Sequence, residues 1–370
     1  MKKGLALFLA SALIFVAITG CVERGNRRED LSLENVKLAF IHAGDPADIG
    51  YTYRQHRGTL DMMEKLGIPE SRVMTFLNIP PGDAFDNAIL EAIDWGADMI
   101  FGTSFAFGPQ MLEAAEAYTN IHFFHASGNL AVDADLANFH NYFGAISEAR
   151  YLSGVAAGLR TETDVLGFVA AFPNAEVISG YTAFYLGALS VNPDVTMYVT
   201  YTNAWNDSTV EAHAAQSLID RGADVIGQHT DSTAPQTIAE SNGVWSVGYN
   251  IDTTYAPQNA ILVSAMFDWS VYLVFAVQEM VEGRDVPTDF IAGLADGMVL
   301  ISPTNPATVA AGTDEAIEAA KTRILNGWDV FTGPIYGSDG SQILADGEQW
   351  IEMLSAPSWS HIVQGITIVD

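Results

Sequence analysis

The residues best placed to do chemistry in this chain are aromatics, amides and carboxylates that follow predicted strands. The loop after the first strand runs from His42 to Tyr53 and carries Asp45, Asp48 and Tyr51. Later loops carry Thr103-Ser104-Phe105, His125-Ala126-Ser127-Gly128 and Ala171-Phe172-Pro173. Further on come Asn203-Ala204-Trp205-Asn206-Asp207, His229-Thr230-Asp231-Ser232, Asn250-Ile251-Asp252 and Phe267-Asp268-Trp269. These segments hold almost no cations. Their inventory suits a flat, neutral ligand bearing N–H donors, because rings stack on aromatics and carboxylates accept N–H bonds. The candidate binding residues are Tyr51, Ser104, Phe105, Asn203, Trp205, Asp231, Asp252 and Trp269.

Each candidate also has a plainer reading. Asp231 precedes a helix and would serve as its cap. Asn203 and Asp252 fit turns as well as ligand contacts. Tyr51 would fit a core, whereas Trp205 lies among Asn203, Asn206 and Asp207, a poor setting for one. Asp268 reads first as the cap of the helix that follows.

Signals for catalysis are weak. There is no Gly-x-Ser-x-Gly elbow and no phosphate loop of the Gly-Lys-Ser type. His42, His125 and His229 lack metal-ligand spacing, so neither a metal nor a cofactor is expected. A secreted nucleoside-cleaving enzyme would need an acidic metal cluster on one loop, and the first-strand loop offers only Asp45 and Asp48.

The elements that must position these residues alternate between strand and helix. Strands are predicted at 36–41, 73–77, 99–101 and 122–124, with helices at 53–66, 84–95 and 109–118 between them. A second series begins near Ser147, with strands at 165–170, 196–201, 225–228, 245–249 and 261–265. Helices are predicted at 148–159, 269–282 and 313–325. This repetition implies α/β architecture, with parallel sheets covered by helices on both faces. Gly96-Ala97-Asp98-Met99-Ile100 and Gly222-Ala223-Asp224-Val225-Ile226 are near-copies, which suggests two similar lobes. Residues 36–146 with about 250–285 are expected to form the first, and 147–249 with about 286–370 the second. In such sheets ligands bind beyond the carboxyl ends of the strands.

The N-terminus reads as a secretory signal over 1–20: Lys2 and Lys3, an apolar run from Leu5 to Ile18, then Thr19-Gly20. Cys21 is the only cysteine in the chain. Its place after the small residues resembles the lipobox of prokaryotic lipoproteins, so residues 21–35 are expected to be a lipidated tether outside the cytoplasmic membrane. The formal net charge of −29 repels nucleic acid and anionic headgroups. It also fits a salty habitat, where the self-repulsion is screened.

Taken together, Gly50-Tyr51-Thr52-Tyr53, Thr103-Ser104-Phe105, Arg150-Tyr151-Leu152-Ser153-Gly154, Phe172-Pro173-Asn174-Ala175-Glu176-Val177, Ser190-Val191-Asn192-Pro193-Asp194, Gln228-His229-Thr230-Asp231-Ser232 and Asp296-Gly297-Met298-Val299 form a specific order. On these motifs the chain resembles the BMP family, lipoproteins that serve ABC transporters as substrate-binding components. The resemblance implies a type I periplasmic-binding-protein fold, two doubly wound parallel-sheet lobes closing on a ligand. It implies a purine base or nucleoside as ligand, a permease as partner, and no enzymatic activity. It places Tyr51 and Trp205 as the aromatics that sandwich the base, and Asp252 as the carboxylate after a late strand. Nucleoside binders of the family carry a lysine where this chain has Phe267-Asp268-Trp269, so a free base such as adenine is favoured over its nucleoside. A monomer is expected. The rival reading within the fold is a sugar or autoinducer binder.

Overall fold

The computed structural model describes residues 30–254, 259–352 and 354–370. The signal segment and Cys21 lie outside the described residues.

The first lobe is built from β1 (Leu38–Ile41), α1 (Tyr51–Leu66), β2 (Val73–Phe76), α2 (Asp83–Trp95), β3 (Met99–Gly102), α3 (Gly108–Ala117), β4 (His122–Ala126), α4 (Leu130–Ala134) and β5 (Phe139–Gly144). The chain then crosses to the second lobe. There it forms α5 (Ile146–Arg160), β6 (Val165–Ala170), α6 (Ala175–Leu189), β7 (Thr196–Tyr201), α7 (Ser208–Asp220), β8 (Val225–His229), α8 (Ala234–Ser241), β9 (Trp245–Asn250) and β10 (Ile261–Phe267). It returns for α9 (Ser270–Val281) and β11 (Asp289–Ala292) and crosses again to β12 (Val299–Ile301) and α10 (Thr313–Leu325). A short ribbon of β13 (Ile335–Tyr336) and β14 (Gln342–Leu344) follows, and β15 (Ile366–Ile368) ends the fold.

The first sheet has the order β11-β5-β4-β3-β1-β2, and the second β12-β10-β9-β8-β6-β7-β15. Position by position the two orders coincide, apart from the extra edge strand β15. Within these two sheets all pairs are parallel except β10 with β12, and the β13–β14 ribbon is antiparallel. β1, β3, β4 and β5 are buried along their whole length, as strands covered on both faces must be.

The paired Gly-Ala-Asp segments occupy equivalent places. Gly96 and Gly222 adopt φ of 89° and 100°, a left-handed conformation that ends α2 and α7 at little cost only for glycine. Asp98 then accepts the backbone N–H of Lys37, ahead of β1, and Asp224 accepts those of Glu162 and Thr163, ahead of β6. The same device thus ties the third strand of each lobe to the entry of its first strand.

The division between lobes departs from the sequence expectation in two strands. β10 pairs with β9 in the second sheet, although 250–285 was assigned to the first lobe. β11 pairs with β5 in the first sheet, although it lies beyond 285. Only α9 of the returning segment sits where expected. Its residues Tyr272 and Leu273, with Trp269 just ahead of it, share a core with Met62 of α1 and with Phe40 and Phe124. A buried strand announces itself by composition, but composition does not name its neighbour. The crossings at 144–146, 267–270 and 292–299 connect the two lobes. Among the described residues, no helix is long and apolar enough to cross a membrane.

Candidate ligand cleft

The carboxyl ends of both sheets face a cleft of about 400 Å³ between the lobes. That volume lies in the range of small-molecule sites, roughly 300–1,000 Å³. The first lobe contributes Ala43, Asp45, Asp48, Tyr51, Ser104 and Phe105, and the second Glu176, Trp205, Asn206, His229, Asp231 and Tyr249.

Local capping fixes most of these side chains. Asp48 lies ahead of α1 and accepts the backbone N–H groups of Gly50, Thr52 and Tyr53, which the first helical turn leaves unpaired. That holds Tyr51 at the head of α1 and turned into the cleft. Its hydroxyl accepts from Gln55 Nε2 at 3.0 Å, and burial holds its pKa well above the usual tyrosine value. In the second lobe Asn174 caps α6 through the Val177 N–H, which sets Glu176 in the first turn at the cleft wall. Asp207 caps α7 and anchors the loop that carries Trp205. The Trp205 carbonyl accepts the Asp231 N–H at 2.9 Å, which joins two loops of the rim.

Beside the cleft the two lobes approach each other closely. A Cβ added to Gly50 would lie 2.6 Å from the Asp231 carbonyl oxygen and 2.7 Å from its Cβ. Only glycine lets the head of α1 come this close to the β8–α8 loop.

The electrostatics are one-sided. Asp45, Asp48, Glu176 and Asp231 line the cleft, and no lysine or arginine does so among the described residues. His229 stays neutral: burial, with Arg150 nearby, pulls its pKa down to about 4. Its Nε2 lies 3.0 Å from the Tyr249 hydroxyl and 3.5 Å from Glu176. Fully buried Arg150 sits behind this group, its guanidinium 3.8 Å from the Tyr249 ring centre and its Nη1 donating to the Gln228 carbonyl.

Of the eight candidates read from sequence, Tyr51, Ser104, Phe105, Trp205 and Asp231 line the cleft, and Asn203, Asp252 and Trp269 do not. Trp269 is fully buried, stacked on Phe267 at 4.5 Å and edge-on to Tyr51 at 5.7 Å. It backs the cleft from inside the core. Asp252 closes a turn, accepting from the Thr254 N–H and hydroxyl. Asn203 is an exposed turn residue at φ 56°. Asp231 is not the cap of α8; it accepts from Asn250 Nδ2 at 2.9 Å instead. Asp268 lies one residue ahead of the N-cap of α9, which is Trp269, and accepts the Ser270 N–H and hydroxyl. Glu176, Asn206, His229 and Tyr249 were not among the candidates.

The two aromatics most open to solvent at the cleft are Phe105 of the first lobe, 61% exposed, and Trp205 of the second, 36% exposed. Among the described residues no group of three or more His, Cys, Asp or Glu side chains is arranged to hold a metal.

Known proteins resemble this chain in sequence and in fold. The Bmp family, described as ABC transporter substrate-binding protein PnrA-like, matches residues 35–330. A purine-binding protein of Brucella abortus is 33% identical over 319 residues, covering 85% of this chain and 89% of that protein. A Haloferax volcanii protein provisionally named as an ABC transporter glucose-binding protein is 31% identical over 327 residues, 88% of this chain and 82% of its own. Among solved structures, an ABC transporter solute-binding protein of Conexibacter woesei superposes with a TM-score of 0.66 at 18% identity, covering 79% of this chain and 97% of that one. The fold is thus that of the type I periplasmic binding proteins. By sequence and architecture together, the chain belongs to the Bmp family of PnrA-like substrate-binding proteins, which deliver ligands to ABC transporters and are not enzymes.

Proposed function

We propose that this protein captures a purine, and a free base in preference to its nucleoside, for import by an ABC permease. The observation that carries the reading is the make-up of the cleft. Aromatics project from both lobes, carboxylates lie between them, and no cation lines it among the described residues. A flat heteroaromatic ring stacks between such faces, and its N–H groups meet acceptors. A phosphorylated ligand would meet four carboxylates instead. The purine-binding relative in Brucella abortus supports the same reading.

Tyr51 and Trp205 are the proposed stacking pair, with Phe105 closing over the open side. Asp231 and Glu176 are the proposed N–H acceptors. Phe267-Asp268-Trp269, with no lysine, favours a free base. Cys21 is proposed to carry the lipid that holds a monomeric protein outside the membrane.

A sugar is the competing ligand, since carboxylates beside aromatics also suit hydroxyl-rich rings and the Haloferax relative is named for glucose. Mass spectrometry of small molecules released from the purified, unfolded protein separates the two. A retained purine supports the proposal, and a retained hexose without any purine refutes it.

A further inference from the structure

Asp231 differs from the first-lobe carboxylates of the cleft. Asp48 is committed to three backbone N–H groups of α1, and Asp45 caps the short helix at Pro46–Asp48. Asp231 is half-buried at the cleft and accepts one side-chain bond, from Asn250 Nδ2 on Oδ1. The backbone N–H of Tyr51 is the other donor close to it.

The charged groups around it are nearly all of its own sign. Asp48 faces it from the first lobe and Glu211 from α7. Glu211 is itself fully buried, accepting from the Ser232 hydroxyl and the Asp207 N–H. Tyr249, neutral at physiological pH, faces it from β9, with Glu176 and neutral His229 beyond. Buried Arg150 stands behind Tyr249, its Nη1 donating to the Gln228 carbonyl and its guanidinium over the Tyr249 ring. Burial first, then Asp48 and Glu211, push the Asp231 pKa well above the ordinary carboxylate range.

We propose that Asp231 selects among purines by binding as a neutral carboxylic acid, its O–H donating to a ring nitrogen and its carbonyl accepting an adjacent N–H of an adenine-type ring. The proposal rests on the purine reading above. A neutral carboxyl offers a donor and an acceptor side by side, whereas an ionised one only accepts. Adenine presents the matching pair, N6–H beside N7, where guanine presents two acceptors, N7 and O6. Guanine's adjacent donors, N1–H and N2–H, call for an ionised carboxylate. A site built for one pattern rejects the other, because a buried polar group is left unpaired.

The sign of the pH effect follows. The O–H is present below the Asp231 pKa and is lost as pH rises through it. Adenine affinity therefore falls above that pKa, by up to about tenfold per pH unit, while guanine affinity does not. Asp231→Asn keeps a donor and an acceptor in the same places without titrating, and still accepts from Asn250.

The test is calorimetry of adenine and guanine with wild type, Asp231→Asn and Asp231→Ala, from about pH 5 to pH 9. Infrared spectra of the ligand-free proteins near neutral pH accompany it. Wild-type adenine affinity should fall across the upper range. The Asn variant should bind adenine within about threefold of the wild-type low-pH value and show no pH dependence. The Ala variant should bind at least about tenfold more weakly. Ligand-free wild type should show a protonated-carboxyl band that the Asn variant lacks. Absence of that band, or an Asn variant as weak as the Ala variant, overturns the proposal even if purines bind. A band present with neither base bound at any pH overturns the purine reading, and with it the ligand assigned to Asp231.

Discussion

Two tryptophans show why residue type alone does not make a site. Trp205 is 36% exposed on a loop tied down by Asp207, whereas Trp269 is fully buried against Phe267 and Tyr51. They should fail differently. Trp205→Ala removes one face of the proposed stack, worth roughly 1–3 kcal/mol, so ligand affinity should drop about 5- to 150-fold with little change in melting temperature. Trp269→Ala opens a cavity in the core, and large aromatic truncations there cost about 3–5 kcal/mol. Denaturant unfolding should register that loss directly. An unchanged unfolding midpoint would contradict the placement of Trp269. In the sequence Trp205 was legible because its neighbours are Asn and Asp, which no core would tolerate. Trp269 follows a strand and so looked like a rim residue; only the turn into α9 sends its ring inward. Glu176 was missed because it lies three residues past Pro173, where the reading of that loop stopped. Tyr249 was missed because it is the last buried residue before the Asn250 loop.

At the level of elements, positions along the chain were more legible than partners. β6, β7 and α10 occur at the predicted residues, and β1 to β4 lie within a few residues of theirs. α6 was not read as a helix because it is buried nearly all round and has no polar face to give a period. The assignment of β10 to a lobe failed for a related reason: a strand covered on both faces carries no mark of which sheet it joins, and β11, a half-buried edge strand, was not read as a strand at all. Two contacts between elements bear on closure. Gly50 permits α1 to approach the Asp231 loop, so Gly50→Ala should hold the lobes apart. Ligand affinity should fall about tenfold, as expected if closure becomes harder by roughly 1.4 kcal/mol. The second contact lies in the C-terminal segment, beyond the residues the family match covers. Ser355 donates its hydroxyl to Asp289 on β11 at 2.6 Å and to the Gly128 carbonyl at 3.2 Å, and its N–H also goes to Asp289. Burial raises the Asp289 pKa against the pull of these bonds. Ser355→Ala should therefore loosen the segment, with faster amide hydrogen exchange around residues 350–360. Exchange as slow as in wild type would mean that the contact holds nothing in place.

The whole molecule is governed by its charge and by the pairing of its two lobes. With a formal net charge of −29, the folded chain repels itself. Added salt shortens the screening length from about 10 Å at 0.1 M to about 3 Å at 1 M. The melting temperature should rise over that interval, and a fall would show that specific ion pairs outweigh the general repulsion. Tethering is tested at the same scale: Cys21→Ser should release the protein from the membrane fraction. A variant that stays bound with its signal removed would refute the lipid anchor. The architecture itself was legible. Alternating strands and helices, and two copies of a Gly-Ala-Asp turn, pointed to paired lobes whose strand orders coincide. The ligand is the least legible feature, because it depends on which carboxylates the two lobes bring face to face. The most direct test is calorimetric titration of the purified protein with adenine, guanine, hypoxanthine, their nucleosides and a panel of hexoses. Saturable binding of a free base, at least as tight as its nucleoside and lost with Trp205→Ala, is the predicted result. Binding of a hexose with no heat from any purine would contradict it.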